Sequence, residues 1–176
     1  MILVTTGTNE QPFDRLVRAA AVLAQGEDTF VQYGASREPH GSGDWVDFLD
    51  FDVLAERMRE ARVVVCHAGV GSIMLARRCG HQPVVMPRRV ELGEAVDDHQ
   101  LHLARRLHQA GLVTLVEDER QLVAAASAPG TVASGAAGLK GSAALTTELR
   151  GFLGTLVRPS AALATSAGTP AKEVSR

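Results

Sequence analysis

The sequence has few of the features that mark disulfide-rich, redox-active, zinc-binding or membrane-spanning proteins. It contains only two cysteines, Cys66 and Cys79, and their spacing fits neither a C-x-x-C redox pair nor a zinc site. No stretch approaches the roughly 18 apolar residues of a membrane span, and the first seven residues lack the basic segment of a secretory signal. We therefore expect a soluble, cytoplasmic protein whose contact with a membrane is made through another molecule.

An excess of charge of one sign is also lacking. The chain has 18 Lys and Arg residues against 20 Asp and Glu residues, which gives a net charge of −2. This balance argues against bulk electrostatic binding to nucleic acid. Hydrophobic residues, by contrast, make up 45% of the 176 residues. That share supports a sizeable core in a single domain with a tail.

Short apolar strands alternate with helical patterns from the start of the chain to about residue 125. The predicted strands are 2–6, 29–34, 45–50, 63–67, 83–86 and 112–116, and the predicted helices are 12–23, 52–60, 73–79 and 96–110. Near-continuous apolar strands separated by helices are typical of a parallel sheet that is covered on both faces. The sequence thus predicts an α/β fold, a Rossmann-like parallel sheet with helices on both faces.

The composition changes after residue 126. Residues 127–142 are rich in Ala, Gly and Ser, residues 143–156 have the pattern of a last helix, and residues 158–176 are rich in Pro, Ala, Ser and Thr, as disordered segments are. We therefore divide the chain into a ligand-binding domain over 1–126, a flexible connection with a C-terminal helix over 127–157, and a disordered tail over 158–176.

The most informative segment runs from Val63 to Ser72. A β-branched strand ends at His67, two glycines follow at Gly69 and Gly71, and Ser72 precedes a helical pattern. Such a turn presents backbone N–H groups and the positive end of a helix dipole to an anion. The alternative is a tight connection whose glycines only supply unusual backbone angles. The third glycine of a G-x-G-x-x-G dinucleotide fingerprint is missing, because Met74 stands in its place.

A second polar cluster follows the next predicted strand. Arg88, with Arg89, is positioned to meet a diphosphate, while Glu94 and Asp98 are carboxylates suited to the hydroxyls of a ribose or a sugar. His99 and Gln100 complete the cluster. An acidic helix start that opposes the helix dipole would explain the aspartates equally well. Two polar helix starts after consecutive strands favour a nucleotide site at the strand ends.

The end of the first strand adds Gly7 and Thr8 to the same predicted edge of the sheet, where a small hydroxyl residue suits a phosphate. His67 is a weak candidate for a general base, and a structural hydrogen bond is the alternative for a His at a strand end. No set of ligands with metal-binding spacing is evident, so we expect neither a metal nor a cofactor.

Taken in order, these segments resemble the C-terminal, sugar-nucleotide-binding domain of family 28 glycosyltransferases, in its small stand-alone version. The resemblance covers roughly residues 1–125. It rests on Val4 to Thr8, Pro12 to Leu16, Phe51-Asp52, His67 to Ile73, Pro83 to Pro87, and Asp98 to Gln100 with Ala104.

The resemblance implies one half of a GT-B enzyme that binds a UDP-sugar such as UDP-GlcNAc. A separate, membrane-anchored subunit would supply the half that binds a lipid-linked acceptor, for example in exopolysaccharide synthesis, and would place this chain at the inner face of the membrane. Carried onto this sequence, Gly69, Val70, Gly71 and Ser72 would hold the diphosphate, and His99 and Gln100 would meet the donor sugar or its phosphate.

One residue departs from the family pattern. Many members have a Glu three residues after the Ser72 position, where it binds the ribose diol, and here Leu75 takes that place. Glu94 or Asp98 is then the alternative ligand for the ribose. The departure also leaves open a non-catalytic regulatory or scaffolding subunit that keeps the fold. A dinucleotide-dependent oxidoreductase would need an acid where Pro87-Arg88 stands.

Overall fold

The computed structural model of the protein describes residues 1–37, 41–128 and 144–151. Its strands are β1 (Ile2–Thr5), β2 (Thr29–Gln32), β3 (Asp44–Val46), β4 (Val63–His67), β5 (Val84–Met86) and β6 (Thr114–Leu115). Its helices are α1 (Asp14–Leu23), α2 (Phe51–Glu60), α3 (Val70–Arg78), α4 (His99–Gln109) and α5 (Glu119–Ser127), with a 3-10 turn at Val90–Leu92. Residues 144–151 are also helical.

The six strands form one parallel sheet in the order β3-β2-β1-β4-β5-β6. The central strand β1 pairs with β2 on one side, where Thr5 lies opposite Gln32, and with β4 on the other, where Thr5 lies opposite Cys66. The strand order therefore reverses between β1 and β4. In a doubly wound sheet this reversal opens a crevice at the carboxyl ends of the two strands, where ligands bind.

Alternate residues of the strands face opposite sides of the sheet, and each side is covered by helices. Ile2, Val4, Val63 and Val65 pack with α1 and α5 in one core cluster. Leu3, Val64, Cys66 and Val85 point to the other side, where two further clusters contain residues of α2, α3, α4 and the helix at 144–151. The predicted Rossmann-like parallel sheet with helices on both faces is confirmed.

Several helix starts differ from the predicted ones. Helix α3 begins at Val70 rather than at residue 73, because its first residues face the cavity or solvent and carry no apolar periodicity. Helix α4 begins at His99 rather than at residue 96, since the Asp97 side chain accepts a hydrogen bond from the His99 N–H (3.0 Å) and forms a turn there. Helix α2 begins at Phe51, one residue before the predicted start at residue 52.

Helix α5 was not predicted. Its apolar face consists mainly of alanines, which give a weak periodic signal, but its start has a recognisable cap in which Asp118 accepts a hydrogen bond from the Gln121 N–H (2.8 Å). The helical residues 144–151 fall within the predicted last helix, and Leu145 and Leu149 are buried in the core. The predicted tail over 158–176, and most of the connection before the last helix, lie outside the described residues.

Candidate functional site

Strands β1 and β4 bring two glycine-containing turns together at the reversal of strand order. Gly7 follows β1 with a φ of +79°, which favours glycine. The ring of His67, at the end of β4, fills the space between the two turns. A Cβ at Gly7 would lie 2.3 Å from His67 Cε1, and a Cβ at Gly69 would lie 2.1 Å from His67 Nε2. Gly7 and Gly69 are therefore glycines because the His67 ring occupies their side-chain space.

The amino end of α3 provides the anion-binding groups that the sequence predicts. Gly69 precedes the helix with extended backbone angles, and no side chain caps this end. The N–H groups of the first turn, which includes Gly71 and Ser72, have no partner within a helix. A Cβ at Gly71 would meet nothing within 4 Å. The helix end is open in front of Gly71, as close approach of a phosphate to its backbone requires.

This helix end opens on a cavity of about 310 Å³. Its lining divides into a polar end and an apolar wall. The polar end is formed by Thr5, Gly7, Thr8, Gln32, His67, Gly69, Gly71 and Ser72, and the apolar wall is formed by Leu49, Phe51, Leu54 and Leu75. Of the sequence-predicted site residues, the structure thus brings Gly7, Thr8, His67, Gly69, Gly71 and Ser72 together. Val70 lies in the same helix turn but is exposed outside the lining.

Two buried polar side chains fix the floor of the cavity. The Gln32 amide donates to the carbonyl oxygens of Gly7 (3.0 Å) and Asp47 (3.2 Å), and its oxygen accepts from the Thr5 hydroxyl. The Thr5 oxygen in turn accepts from the Gly7 N–H (3.2 Å). These bonds link the ends of β1 and β2 below the cavity. The sequence interpretation did not single out Gln32, whose only signal is a polar residue at the end of a buried strand.

The imidazole of His67 is neutral at physiological pH. Burial removes water from its charged form, and the positive charge of Arg88 acts in the same direction, while a backbone hydrogen bond at Thr5 opposes them; together they lower the pKa of His67 to about 4. Within the described residues its Nδ1 is buried and has no hydrogen-bond partner. Such a lowered pKa makes His67 a weak base.

The side chain of Arg88 is buried between loops and does not project into an open site, as the sequence-based prediction of a diphosphate ligand requires. Its side chain is only 1% exposed, and its guanidinium donates to the carbonyl oxygens of Gln11, Pro12, Glu94 and Thr6 at 2.8–3.2 Å. It also stacks over the ring of Phe13, at 4.7 Å from the centroid. Arg88 therefore joins the loops after β1 and β5 and leaves no open face for a diphosphate, so its predicted role as a diphosphate ligand is corrected here.

Glu94 also has a structural partner. Its carboxylate pairs with the Arg15 guanidinium at 2.8 Å, with both side chains about 10% exposed, and accepts from the Arg89 N–H at 3.1 Å. It lines a separate cavity of about 390 Å³ with Arg15 and Arg18 of α1. Glu94 is therefore not positioned to replace an acid at the Leu75 position.

Asp98, His99 and Gln100 lie at the start of α4, outside the lining of the cavity at α3. Asp98 is exposed, and the His99 ring pairs with Asp97 at 3.1 Å. Gln100 is half-buried, and its side-chain oxygen accepts from the Arg88 N–H at 3.4 Å. Gln100 is thus attached to the loop after β5, at the same edge of the sheet as the cavity.

No group of three or more metal-ligating side chains lies together in residues 1–37, 41–128 and 144–151. Among the helices in these ranges, none has the length and apolar character needed to cross a membrane.

Comparisons with solved structures agree with the fold. The glycotransferase of kitacinnamycin superposes with a TM-score of 0.56 at 17% identity, over 86% of this chain and 39% of that one. The calicheamicin glycosyltransferase CalG4 gives 0.56 at 14% identity, over 89% and 44%. SnogD from Streptomyces nogalater gives 0.52 at 16% identity, over 89% and 43%. This chain corresponds to less than half of each, the share expected of one half of a GT-B enzyme.

Sequence comparisons identify the family. The UDP-N-acetylglucosamine transferase subunit ALG13 of Yarrowia lipolytica (strain CLIB 122 / E 150) is 30% identical in an alignment 122 residues long that covers 61% of this chain. The match spans 60% of that relative's length. Residues 1–127 match the glycosyltransferase family 28 C-terminal domain. The resemblance seen in the sequence is confirmed, and the chain belongs to glycosyltransferase family 28, in which it represents the C-terminal domain.

Proposed function

We propose that this chain is the donor-binding subunit of a glycosyltransferase that moves a hexosyl group from a UDP-sugar, such as UDP-GlcNAc, to a lipid-linked acceptor. The observation that carries the proposal is the uncapped amino end of α3, which opens on a cavity at the reversal of strand order in a family 28 domain. The acceptor is bound by a membrane-anchored partner subunit. No cofactor or metal enters the proposed reaction.

The diphosphate of the donor lies against the first turn of α3. There the backbone N–H groups at Gly71 and Ser72 and the Ser72 hydroxyl meet its oxygens, and the Thr8 hydroxyl approaches from the end of β1. When the glycosidic bond to the diphosphate breaks, negative charge grows on the leaving UDP. Fixed amides stabilise that charge without reorganising, and this is the catalytic contribution of this chain.

The donor sugar extends toward the start of α4. Gln100 lies there with its amide group attached to the loop after β5, and His99 and Asp98 lie beside it. The side-chain amide of Gln100 has both donor and acceptor atoms, so it can distinguish the hydroxyls of one hexose from those of another.

The transfer is a single displacement, in which a base removes the proton of the acceptor hydroxyl. His67 is a poor base because its pKa is lowered to about 4 and its ring is held between Gly7 and Gly69. We therefore assign the base to the partner subunit. This division of tasks agrees with the description of the Yarrowia relative as a subunit. In the proposed complex the chain is cytoplasmic and is held at the inner face of the membrane by its partner.

The first experiment is calorimetric titration of the purified chain with UDP and then with a panel of UDP-sugars. Saturable binding of UDP, with a preference for one UDP-sugar, is the expected result. Transfer of that sugar to membrane lipid by the chain together with its co-expressed partner, but not by the chain alone, would support the division into two subunits. Absence of UDP binding by both the chain and the complex would refute the donor site.

A non-catalytic scaffolding subunit is the second candidate function, and the apolar side chain of Leu75 in the cavity favours it. A scaffold requires the fold and the partner but not the open end of α3. It predicts that Gly71→Val leaves the activity of the assembled complex unchanged, whereas a donor-binding subunit predicts a large loss.

A further inference from the structure

We infer that the cavity holds the nucleoside of its ligand by apolar contact with Leu75 and its neighbours, and that it does not distinguish ribo- from 2′-deoxyribonucleoside diphosphates. Leu75 is the specificity-determining residue in this inference. The inference rests on the proposed function, because it takes the diphosphate to lie at the amino end of α3.

The apolar wall begins one helical turn beyond that end. Leu75 is three residues after Ser72, so both side chains lie on the same face of α3, about 4.5 Å apart along the helix axis. Leu75 is 8% exposed. Leu49 and Leu54 are half-buried beside it, and Phe51, which is 66% exposed, also lines the cavity. A nucleoside attached to a diphosphate at Ser72 lies along this wall.

The polar side chains on the cavity floor are already bound to one another. Gln32 donates to the carbonyl oxygens of Gly7 and Asp47 and accepts from Thr5, and the Thr5 oxygen accepts from the Gly7 N–H. Both side chains are at most 3% exposed. Turning either one toward a ribose hydroxyl would break a buried hydrogen bond and leave its former partner unsatisfied.

No carboxylate of the described residues lines this cavity. Glu94 is paired with Arg15 in the other cavity, and the Asp47 carboxylate accepts from the Phe48 N–H at 2.8 Å. Asp97 is paired with His99, and Asp98 is exposed at the start of α4. The two hydrogen bonds that a carboxylate makes to a ribose diol therefore have no acceptor beside Leu75.

A site that hydrogen-bonds the ribose and a site with an apolar wall should differ greatly in their preference for ribo- over 2′-deoxyribonucleotides. A site that hydrogen-bonds a substrate hydroxyl rejects the analogue lacking it by about 10⁴–10⁵, because its polar groups are left unpaired. An apolar wall leaves no such group unpaired when the 2′-hydroxyl is absent. We expect UDP and 2′-deoxy-UDP to bind this chain with dissociation constants within about threefold of each other.

The test is calorimetric titration of the full chain with UDP and with 2′-deoxy-UDP under identical conditions. Dissociation constants within about threefold support the inference. A preference for UDP that exceeds about threefold overturns the inference but leaves the proposed donor site in place. If neither nucleotide binds the chain, the titration is repeated with the co-expressed complex, and failure of both nucleotides to bind there as well removes the donor site and the inference together.

A pair of variants tests the role of Leu75 directly. Leu75→Glu places a carboxylate on the cavity wall and is expected to introduce a preference for UDP over 2′-deoxy-UDP of about tenfold. Met74→Glu is the matched control, because Met74 is the adjacent residue of α3, is 40% exposed and is not part of the cavity lining. A folded Leu75→Glu protein that discriminates no better than Met74→Glu overturns the inference. If circular dichroism shows that Leu75→Glu is unfolded, the inference is judged from the ratio of the wild-type dissociation constants for UDP and 2′-deoxy-UDP.

Discussion

Replacement of Gly71 by alanine separates the stability of the fold from the binding of the donor. Gly71 lies in the first turn of α3 with ordinary helical geometry, and it is not among the glycines with positive φ. A Cβ at this position would meet no protein atom within 4 Å. The added methyl group therefore causes no clash in the protein and projects into the space in front of the helix end.

Gly71→Ala is expected to stabilise the fold but to weaken UDP binding. Alanine restricts the unfolded chain more than glycine does, so Gly71→Ala should raise the free energy of unfolding by about 0.5–1 kcal/mol. The same methyl group separates a phosphate from the backbone N–H. Loss of one hydrogen bond to a charged group costs about 1.5–3 kcal/mol, which weakens UDP binding by roughly 10- to 150-fold.

Urea denaturation and calorimetric titration with UDP measure the two effects on the same protein. Gly26→Ala is the matched control, because it makes the same exchange far from the cavity and its Cβ would lie 3.9 Å from its nearest neighbour, the Leu23 carbonyl oxygen. Unchanged UDP affinity in a stable Gly71→Ala protein would refute the placement of the diphosphate at α3.

Three further predictions concern other residues around the strand ends. Arg15→Met should lower the free energy of unfolding by about 3–5 kcal/mol in urea denaturation, because it leaves the buried Glu94 carboxylate without its partner. Because the pKa of His67 falls from 6.5 to about 4 on folding, the unfolded chain binds more protons between these values, and stability is lost as the pH falls through this range. Between about pH 7.5 and about pH 5 this loss is about 2 kcal/mol, and it should be absent in His67→Gln when both proteins are denatured in urea. Gln100→Ala should weaken the binding of the preferred UDP-sugar more than the binding of UDP, as measured by calorimetry.

Each of these has a control and a contrary outcome. Adding Glu94→Gln to Arg15→Met should recover part of the lost stability, and no recovery would mean that the unpaired charge is not the cause. Equal pH dependence of wild type and His67→Gln would show that His67 does not titrate as described. Gln109→Ala, on the exposed end of α4, should leave both ligands unaffected. Equal losses for UDP and UDP-sugar in Gln100→Ala would argue against a contact with the sugar.

The architecture could be predicted because it depends on local patterns. Apolar strands such as Val63–His67 and the glycines that follow them are visible in single segments of sequence. The parallel arrangement follows from their alternation with helices. The same reasoning brought Gly7, Gly69 and Gly71 to one edge of the sheet, and the structure places all three around one cavity.

The assignments that failed depend on contacts between distant residues. Arg88 and Glu94 look like ligands in sequence because they are polar and follow a strand. Their partners, Thr6 and Arg15, lie about eighty residues earlier, and no local pattern reveals the pairing. The predicted place of Gly69 at the diphosphate stays a prediction, and what the structure adds is that the His67 ring occupies the side-chain space of Gly69.

The position of the His67 ring also determines which amino-acid substitutions this site tolerates. His67, Gly7 and Gly69 share one volume, so a library that changes these positions one at a time should find the two glycines intolerant even of alanine. The two glycines differ in what limits them. Gly7 is restricted both by the ring and by its positive φ, whereas Gly69 has ordinary backbone angles and is restricted by the ring alone. The protein should therefore tolerate the double substitution of His67 and Gly69 by alanine, although it does not tolerate Gly69→Ala alone. In divergent sequences we expect positions 67 and 69 to change together while Gly7 stays glycine.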